Sequence, residues 1–387
     1  MLMSNLDDFD ECIWETEEFF CFMLVCCIHI YNNARNNRPR LTRSAIVHPS
    51  LAPWERLLNF GDDGSFLCMT GFTRESLVML ENILKKPPQP IINSGRPSNL
   101  NFRGQLGLFL MWCCSRMKIK ELCLIFGCTQ SPAQRYIRTL LCRMAPILRE
   151  NMHARIKFPD EPELIRLAAL VQLREPLIEN ICDFIDGCSI KIECASDSAI
   201  QNAHYDGFIC DTTINNVFLF SPEGKVLYAA YNFPGSWHDS SAVASDLIHL
   251  VISKPNFEFA FCVDQGFPRS GRLEDRFVGP YSKTFLRKLI PSIRTLILRK
   301  VKRYVSLRQS AEWGMRALQG TFTRLKSRLT ANSRMRALII ETILLLINFR
   351  TTFVGLNQIA TVFNPHYEQY INLDGYDRIS RYFHNDN

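Results

Sequence analysis

The apolar and polar positions of this chain follow a helical rhythm at both ends and an extended one in the middle. Residues 54–58 and 76–84 predict short helices, and a longer helical region spans about 102–151. Within that region, residues 118–126 form a short helix with Leu122 and Ile125 inward. Gly127-Cys128-Thr129 makes a turn, and Ser131 starts a second helix carrying Gln134, Arg135, Arg138 and Arg143. Residues 85–99, rich in Pro, Asn and Gly, predict a loop, 159–162 a linker, and 163–181 a further helical stretch.

From Phe184 the period changes. Residues 189–193, 216–220 and 225–230 predict three strands, the last two joined by the turn Ser221-Pro222-Glu223-Gly224. Residues 240–252 predict a helix and 257–263 a fourth strand. Helical spacing returns near Arg308 and continues to about Phe349 through Glu312, Met315, Leu318 and Phe322. The order β-β-β-α-β-…-α predicts a mixed α/β domain behind an α-helical one. Four regions are expected: 1–75, a variable and partly helical N-terminus; 76–160, a helical domain with a helix-turn-helix near 118–143; 175–355, the α/β domain; and 356–387, a tail.

Composition adds a partner class and removes several others. With 387 residues, 47% hydrophobic and 21% charged, the chain has the make-up of a globular protein. The net charge is +7 and unevenly spread. Asp7, Asp8, Asp10, Glu11, Glu15, Glu17 and Glu18 crowd the N-terminus, whereas basic residues dominate from Arg269 onward. That asymmetry suits a polyanion, or else a solvated helical surface. The 15 cysteines form no even framework. Cys113, Cys114, Cys123 and Cys142 sit in apolar runs, which points to buried free thiols in a reducing compartment. Cys26-Cys27 with His29 lacks the second pair a zinc site needs. The apolar segment 19–31 is too short for a membrane span, and the acids before it are unlike a signal peptide, so neither is expected.

The candidate chemistry lies in carboxylates at the ends of apolar, strand-like runs. Asp186 follows Phe184-Ile185, Asp239 falls in Phe233-Pro234-Gly235-Ser236-Trp237-His238-Asp239-Ser240, and Asp264 follows Phe261-Cys262-Val263. Acids brought to one edge of a sheet repel one another unless cations hold them together. A ribonuclease H-like sheet has this element order. It collects one acid from its first strand, one from the end of the fourth and one from a later helix. Asp186, Asp264 and Glu312 occupy those places. Hard oxygen donors without nearby Cys or paired His favour Mg²⁺ or Mn²⁺ over zinc. Taken singly, each acid has an ordinary alternative as a turn residue or a solvated helix position.

The chain resembles the PIF/Harbinger-type DDE transposases and the nucleases descended from them. The resemblance rests on Ile185-Asp186-Gly187, Pro234-Gly235-Ser236-Trp237-His238-Asp239-Ser240, Asp264-Gln265-Gly266-Phe267-Pro268, and Ser310-Ala311-Glu312-Trp313-Gly314 leading to Phe322-Thr323-Arg324-Leu325-Lys326. It covers roughly residues 115–350. It implies a divalent-metal-dependent DNA endonuclease behind a helix-turn-helix, with Asp186, Asp264 and Glu312 as the catalytic triad and Asp239 as a fourth metal-associated acid. It also implies element-end double-stranded DNA as substrate, a Myb-like DNA-binding partner protein, homo-oligomers and a nuclear address.

Gln134, Arg135, Arg138, Arg308, Arg324 and Lys326 are the candidate DNA contacts. Arg308 is one helical turn before Glu312, within reach of a phosphate. The chain departs from the family pattern twice. His204-Tyr205-Asp206-Gly207-Phe208-Ile209-Cys210-Asp211 lacks the usual basic tract, and the Asp264–Glu312 spacing implies an insertion around residues 283–302. A host-recruited DNA-binding or scaffolding protein with cleavage unused is the alternative of a different class, and an RNA-directed nuclease on the same sheet is a third.

Overall fold

The computed structural model describes residues 20–31, 41–85, 98–237, 243–254, 257–281 and 283–363. These fall into two compact units, one ending at Ile46 and the other starting at Val47. The first holds helix α1 (residues 20–31), with Cys26, Cys27 and His29 on it, and a 3₁₀ turn at Arg43–Ala45. Among the described residues no helix is long and apolar enough to cross a membrane.

The second unit begins with seven helices: α2 (Pro53–Phe60), α3 (Asp63–Thr70), α4 (Arg74–Lys85), α5 (Phe102–Cys114), α6 (Ile119–Phe126), α7 (Gln130–Glu150) and α8 (Glu161–Arg174). Side-chain caps start several of them. Asp62 accepts from the Ser65 amide, Asn101 from Gly104 and Asp160 from Glu163, each satisfying an orphan donor of the first turn. Gly127 ends α6 with φ of 65°, and its close packing on Val47 and Pro49 leaves no room for a side chain. Gln134, Arg135 and Arg138 are exposed on α7, while Arg143 turns inward to donate to the Leu84 carbonyl.

The remainder is a mixed α/β layer. In order come β1 (Ile181–Lys191), α9 (Ser198–His204), β2 (Tyr205–Asp206), β3 (Asp211–Phe220), β4 (Val226–Pro234), α10 (Ser245–Ser253), β5 (Ala260–Cys262) and β6 (Phe277–Val278). Then follow α11 (Lys283–Arg287), α12 (Pro291–Thr321), α13 (Ser333–Phe353) and α14 (Gln358–Phe363). The strands run β2-β3-β1-β5-β6, with β4 on β3. β1, β3 and β4 are antiparallel neighbours, and β5 and β6 are parallel to β1. One face packs on α8 and α10 through Leu164, Leu167, Ile185, Val217, Leu219, Leu247, Val251 and Phe261. α12 and α13 pack against the sheet too, and α13 also packs on α7, which ties the helical region to the sheet.

The strand boundaries differ from the sequence expectation in an informative way. β1 is one ladder of eleven residues, so Asp186 stands in mid-strand opposite Phe218 and not at a strand end. Gly187 does not break the strand, because it pairs with Val217 inside the sheet. Residues 175–181 leave the helical path that 163–181 predicts, since α8 stops at Arg174. The expected fourth strand shrinks to three residues. The expected insertion is helical and forms α11 and the front of α12. No described cysteine forms a disulfide, but Cys142 is exposed and not buried, because it falls on the solvent side of α7. Most of the 85–99 loop, the acidic N-terminus and the tail beyond residue 363 lie outside the described residues.

Candidate active site

Three elements deliver one acid each to the same place. Asp186 comes from the middle of β1, Asp264 from the turn just past β5, and Glu312 from α12. Parallel pairing of β1 with β5 matches Phe184 to Cys262, so Asp186 and Asp264 both stand two residues further along. α12 crosses close to the sheet at Gly314, where an added Cβ would meet the Phe220 ring at 2.7 Å. Gln319 donates to the Cys188 sulfur at 3.0 Å, a second tie between α12 and β1. Ala311 and Leu307 are fully buried, which turns Arg308 and Glu312 toward the edge of the sheet.

The electrostatics mark the three acids as one cluster. Burial pushes the Asp186 carboxyl up to about 6, and the negative charges of Asp264 and Glu312 add to the rise. The Gly187 amide, 3.0 Å from Asp186 Oδ1, and the Arg308 guanidinium pull it the other way. Arg308 bridges the other two acids, 3.5 Å from Asp264 Oδ1 and 2.6 Å from Glu312 Oε1. These pairs are half exposed, so solvent screens much of their attraction. Three carboxylates with one guanidinium among them leave a surplus of negative charge.

A divalent cation fits this donor set by type, since every candidate ligand is a hard oxygen. The spacing is not closed around a cation. Among the described residues no three His, Cys, Asp or Glu groups stand together at metal-holding distances, and Arg308 supplies the positive charge instead.

The remaining candidates are placed as follows. Asp239 and His238 lie outside the described residues. Lys326 is exposed. The Arg324 guanidinium lies over the Trp112 ring and donates to the Trp112 and Met117 carbonyls, which anchors the 3₁₀ turn Thr323–Lys326 on α5. The Pro234-Gly235-Ser236-Trp237 segment forms a tight turn. A Cβ on Gly235 would meet Thr213 Oγ1 at 2.3 Å and the His204 carbonyl at 2.7 Å. Ser236 donates to Ala203 O, and the Trp237 ring packs tilted against Phe233.

Two residues escape the sequence reading. Asn215 donates to the carbonyls of Gly235 and Trp237 and accepts from Ser189, so it fixes that turn to β1 and β3. Asp183, three residues before Asp186, is fully buried with both carboxyl oxygens unpartnered, and burial pushes its acid group far above the ordinary range. Asn215 had no signal beyond a polar residue in a predicted strand. Asp183 had one, a lone acid in the apolar run Cys182-Asp183-Phe184-Ile185.

Residues 185–348 match the family model of the DDE superfamily endonucleases. That span holds Asp186, Asp264 and Glu312 and fewer than half of the 387 residues. Comparison with curated proteins and with solved structures returned no match. The matched region has the mixed six-stranded sheet and the acid cluster, and the match suggests a nuclease- or transposase-like function.

Proposed function

We propose that the chain is a divalent-metal-dependent DNA endonuclease of the transposase type. In this reading it hydrolyses phosphodiesters at element-end duplex DNA and can rejoin them. The observation that carries the reading is the joint placement of Asp186, Asp264 and Glu312 inside the segment matching the endonuclease family. Three antiparallel strands followed by a parallel pair is the ribonuclease H-like order, and it supports the same reading. The motif resemblance to the PIF/Harbinger type supports the finer assignment, together with its Myb-like partner, homo-oligomer and nuclear address. Gln134, Arg135 and Arg138 on the exposed side of α7, after the Gly127 turn, are proposed DNA contacts of a helix-turn-helix.

The chain's own residues have separable roles. Asp186, Asp264 and Glu312 would hold Mg²⁺ or Mn²⁺, with Asp239 as the fourth acid that the resemblance implies. When bound, such ions polarise the phosphate and lower the pKa of attacking water. Near neutral pH Asp186 gives up its proton and becomes a full donor. Arg308, half exposed between two of the acids, can turn to a phosphate oxygen, for which its forked guanidinium is well suited.

The test is nicking of duplex DNA by purified protein in Mn²⁺, comparing wild type with Asp264→Ala and with added chelator. Loss of a metal-holding carboxylate is expected to cost ~10²-fold or more. Equal nicking by both proteins would sink the assignment. Firm DNA binding without nicking by wild type would favour the scaffolding alternative.

A further inference from the structure

We infer that the outward face of α12, from Arg294 to Glu312, is a track for the phosphate backbone of duplex DNA that leads into the acid cluster. This rests on the endonuclease reading and adds a surface and a direction to it. Between Asp275 and Glu312 the chain contains no Asp or Glu and ten Lys or Arg. Most of this run is α11 and the front of α12, where the described side chains from Pro291 to Lys300 are exposed except for half-buried Ile297. An acid-free helix with repeated cations is costly to leave unneutralised, and a polyanion is the partner that neutralises it.

Helical phase orders these charges. Residues advance about 100° each, so Leu307, Ala311, Gly314 and Leu318, all buried, define the side of α12 that faces the sheet. Arg294 and Lys302 fall on the far side, and Arg299 on the flank, about a quarter turn from the buried stripe. Arg294 and Glu312 are 312 − 294 = 18 residues apart, five full turns, so they share one line along the helix. Their separation is about 27 Å at 1.5 Å per residue, close to eight base-pair steps of B-form DNA. Among the described residues no carboxylate forms an ion pair with Arg294, Arg299 or Lys302. Arg303, one position further, is on the inner side and pairs with Glu175 at 3.1 Å. The contrast separates cations used within the fold from those left for a partner.

The test is fluorescence anisotropy with a labelled 30-base-pair duplex, titrated across KCl concentrations in chelator so that no cleavage occurs. The triple variant Arg294→Ala/Arg299→Ala/Lys302→Ala should bind at least ~10-fold more weakly. Its plot of log affinity against log salt should be flatter by about 2 to 3, since each phosphate contact contributes ~0.9. Glu312→Gln should keep the wild-type slope, and all three proteins should give the same far-UV circular dichroism melt. A triple variant with the wild-type slope overturns the track even if Mn²⁺-dependent nicking stands. A wild-type protein with a triple-sensitive slope but no nicking overturns the endonuclease reading and leaves the track. Sedimentation without DNA covers another occupant, a second copy on this helix. Self-association lost in the triple variant, with the salt slope unchanged, would reassign the face. Absence of DNA binding by wild type would overturn the track outright.

Discussion

Asp183 and Asp186 are three residues apart on one strand, and burial raises both, yet only Asp186 has partners. The Asp183 carboxyl oxygens have no hydrogen-bond partner of good geometry and the adjacent Cys182 thiol offsets little of the desolvation, so burial favours the protonated form in the folded chain. Below about pH 4 the unfolded chain is protonated there too, and the group adds no pH dependence to stability. As pH rises above that, the unfolded chain releases the proton and the folded one cannot, so stability falls toward neutrality. Asp183→Val should therefore melt higher than wild type, with a gap that widens from pH 5 to pH 8. While the folded chain keeps this proton the gap should grow by about 1.4 kcal/mol per pH unit, on top of roughly 1–3 kcal/mol for an unpaired buried polar group. A gap independent of pH would show that Asp183 is ionised or hydrated in the fold.

Arg308 is the other residue whose role can be isolated. Its charge pulls the Asp186 carboxyl down and pairs with Asp264 and Glu312. In Arg308→Ala the Asp186 group should rise above about 6, and the protein without added metal should melt lower. Mn²⁺ should then raise the melting temperature more in the variant than in wild type, since the guanidinium no longer competes for the acids. An equal Mn²⁺ effect would mean that Arg308 does not share their charge.

At the scale of elements, α12 is what closes the site, and Gly314 sets how near it comes. Gly314→Ala must move the helix or the Phe220 ring, at a cost of about 1–3 kcal/mol of stability. Nicking by the folded fraction should fall as well, because Glu312 is two residues away on the same helix. Thermal melts and nicking rates measured on the same preparation check this, and an unchanged rate would separate the packing from the chemistry. Gly314 was visible in the sequence only as part of a motif. Its reason for being glycine is a contact with a strand almost a hundred residues earlier, which no local pattern contains. The same limit explains β1. Phe184-Ile185-Asp186-Gly187 looks like a strand running into a turn, but pairing with β3 carries the ladder through Gly187 to Lys191. The order of the elements and the helical region were legible, because turns such as Ser221–Gly224 and caps such as Asp160 are local signals.

Over the whole molecule, the sequence pattern pointed to a sheet with three acids at one edge, and the structure brings together Asp186, Asp264 and Glu312 from positions up to 126 residues apart (312 − 186). The sequence could not reveal that an arginine already stands among them, nor that the cations from Arg294 onward stand on one continuous helix that runs into the site. Both follow from the helical phase of α12 relative to a sheet it meets only in three dimensions. The cluster and the outward cations of α12 all lie within residues 185–348, the segment that matches the endonuclease family.

The most direct measurement is Mn²⁺-dependent nicking of duplex DNA by wild type, Asp186→Asn, Asp264→Asn, Glu312→Gln and the triple variant combining these three acid substitutions, side by side. Groups that act as a unit give non-additive losses. Each single variant should therefore lose about as much activity as the triple, roughly 10²-fold or more. Any one of the three retaining the wild-type rate would contradict a site built on these acids.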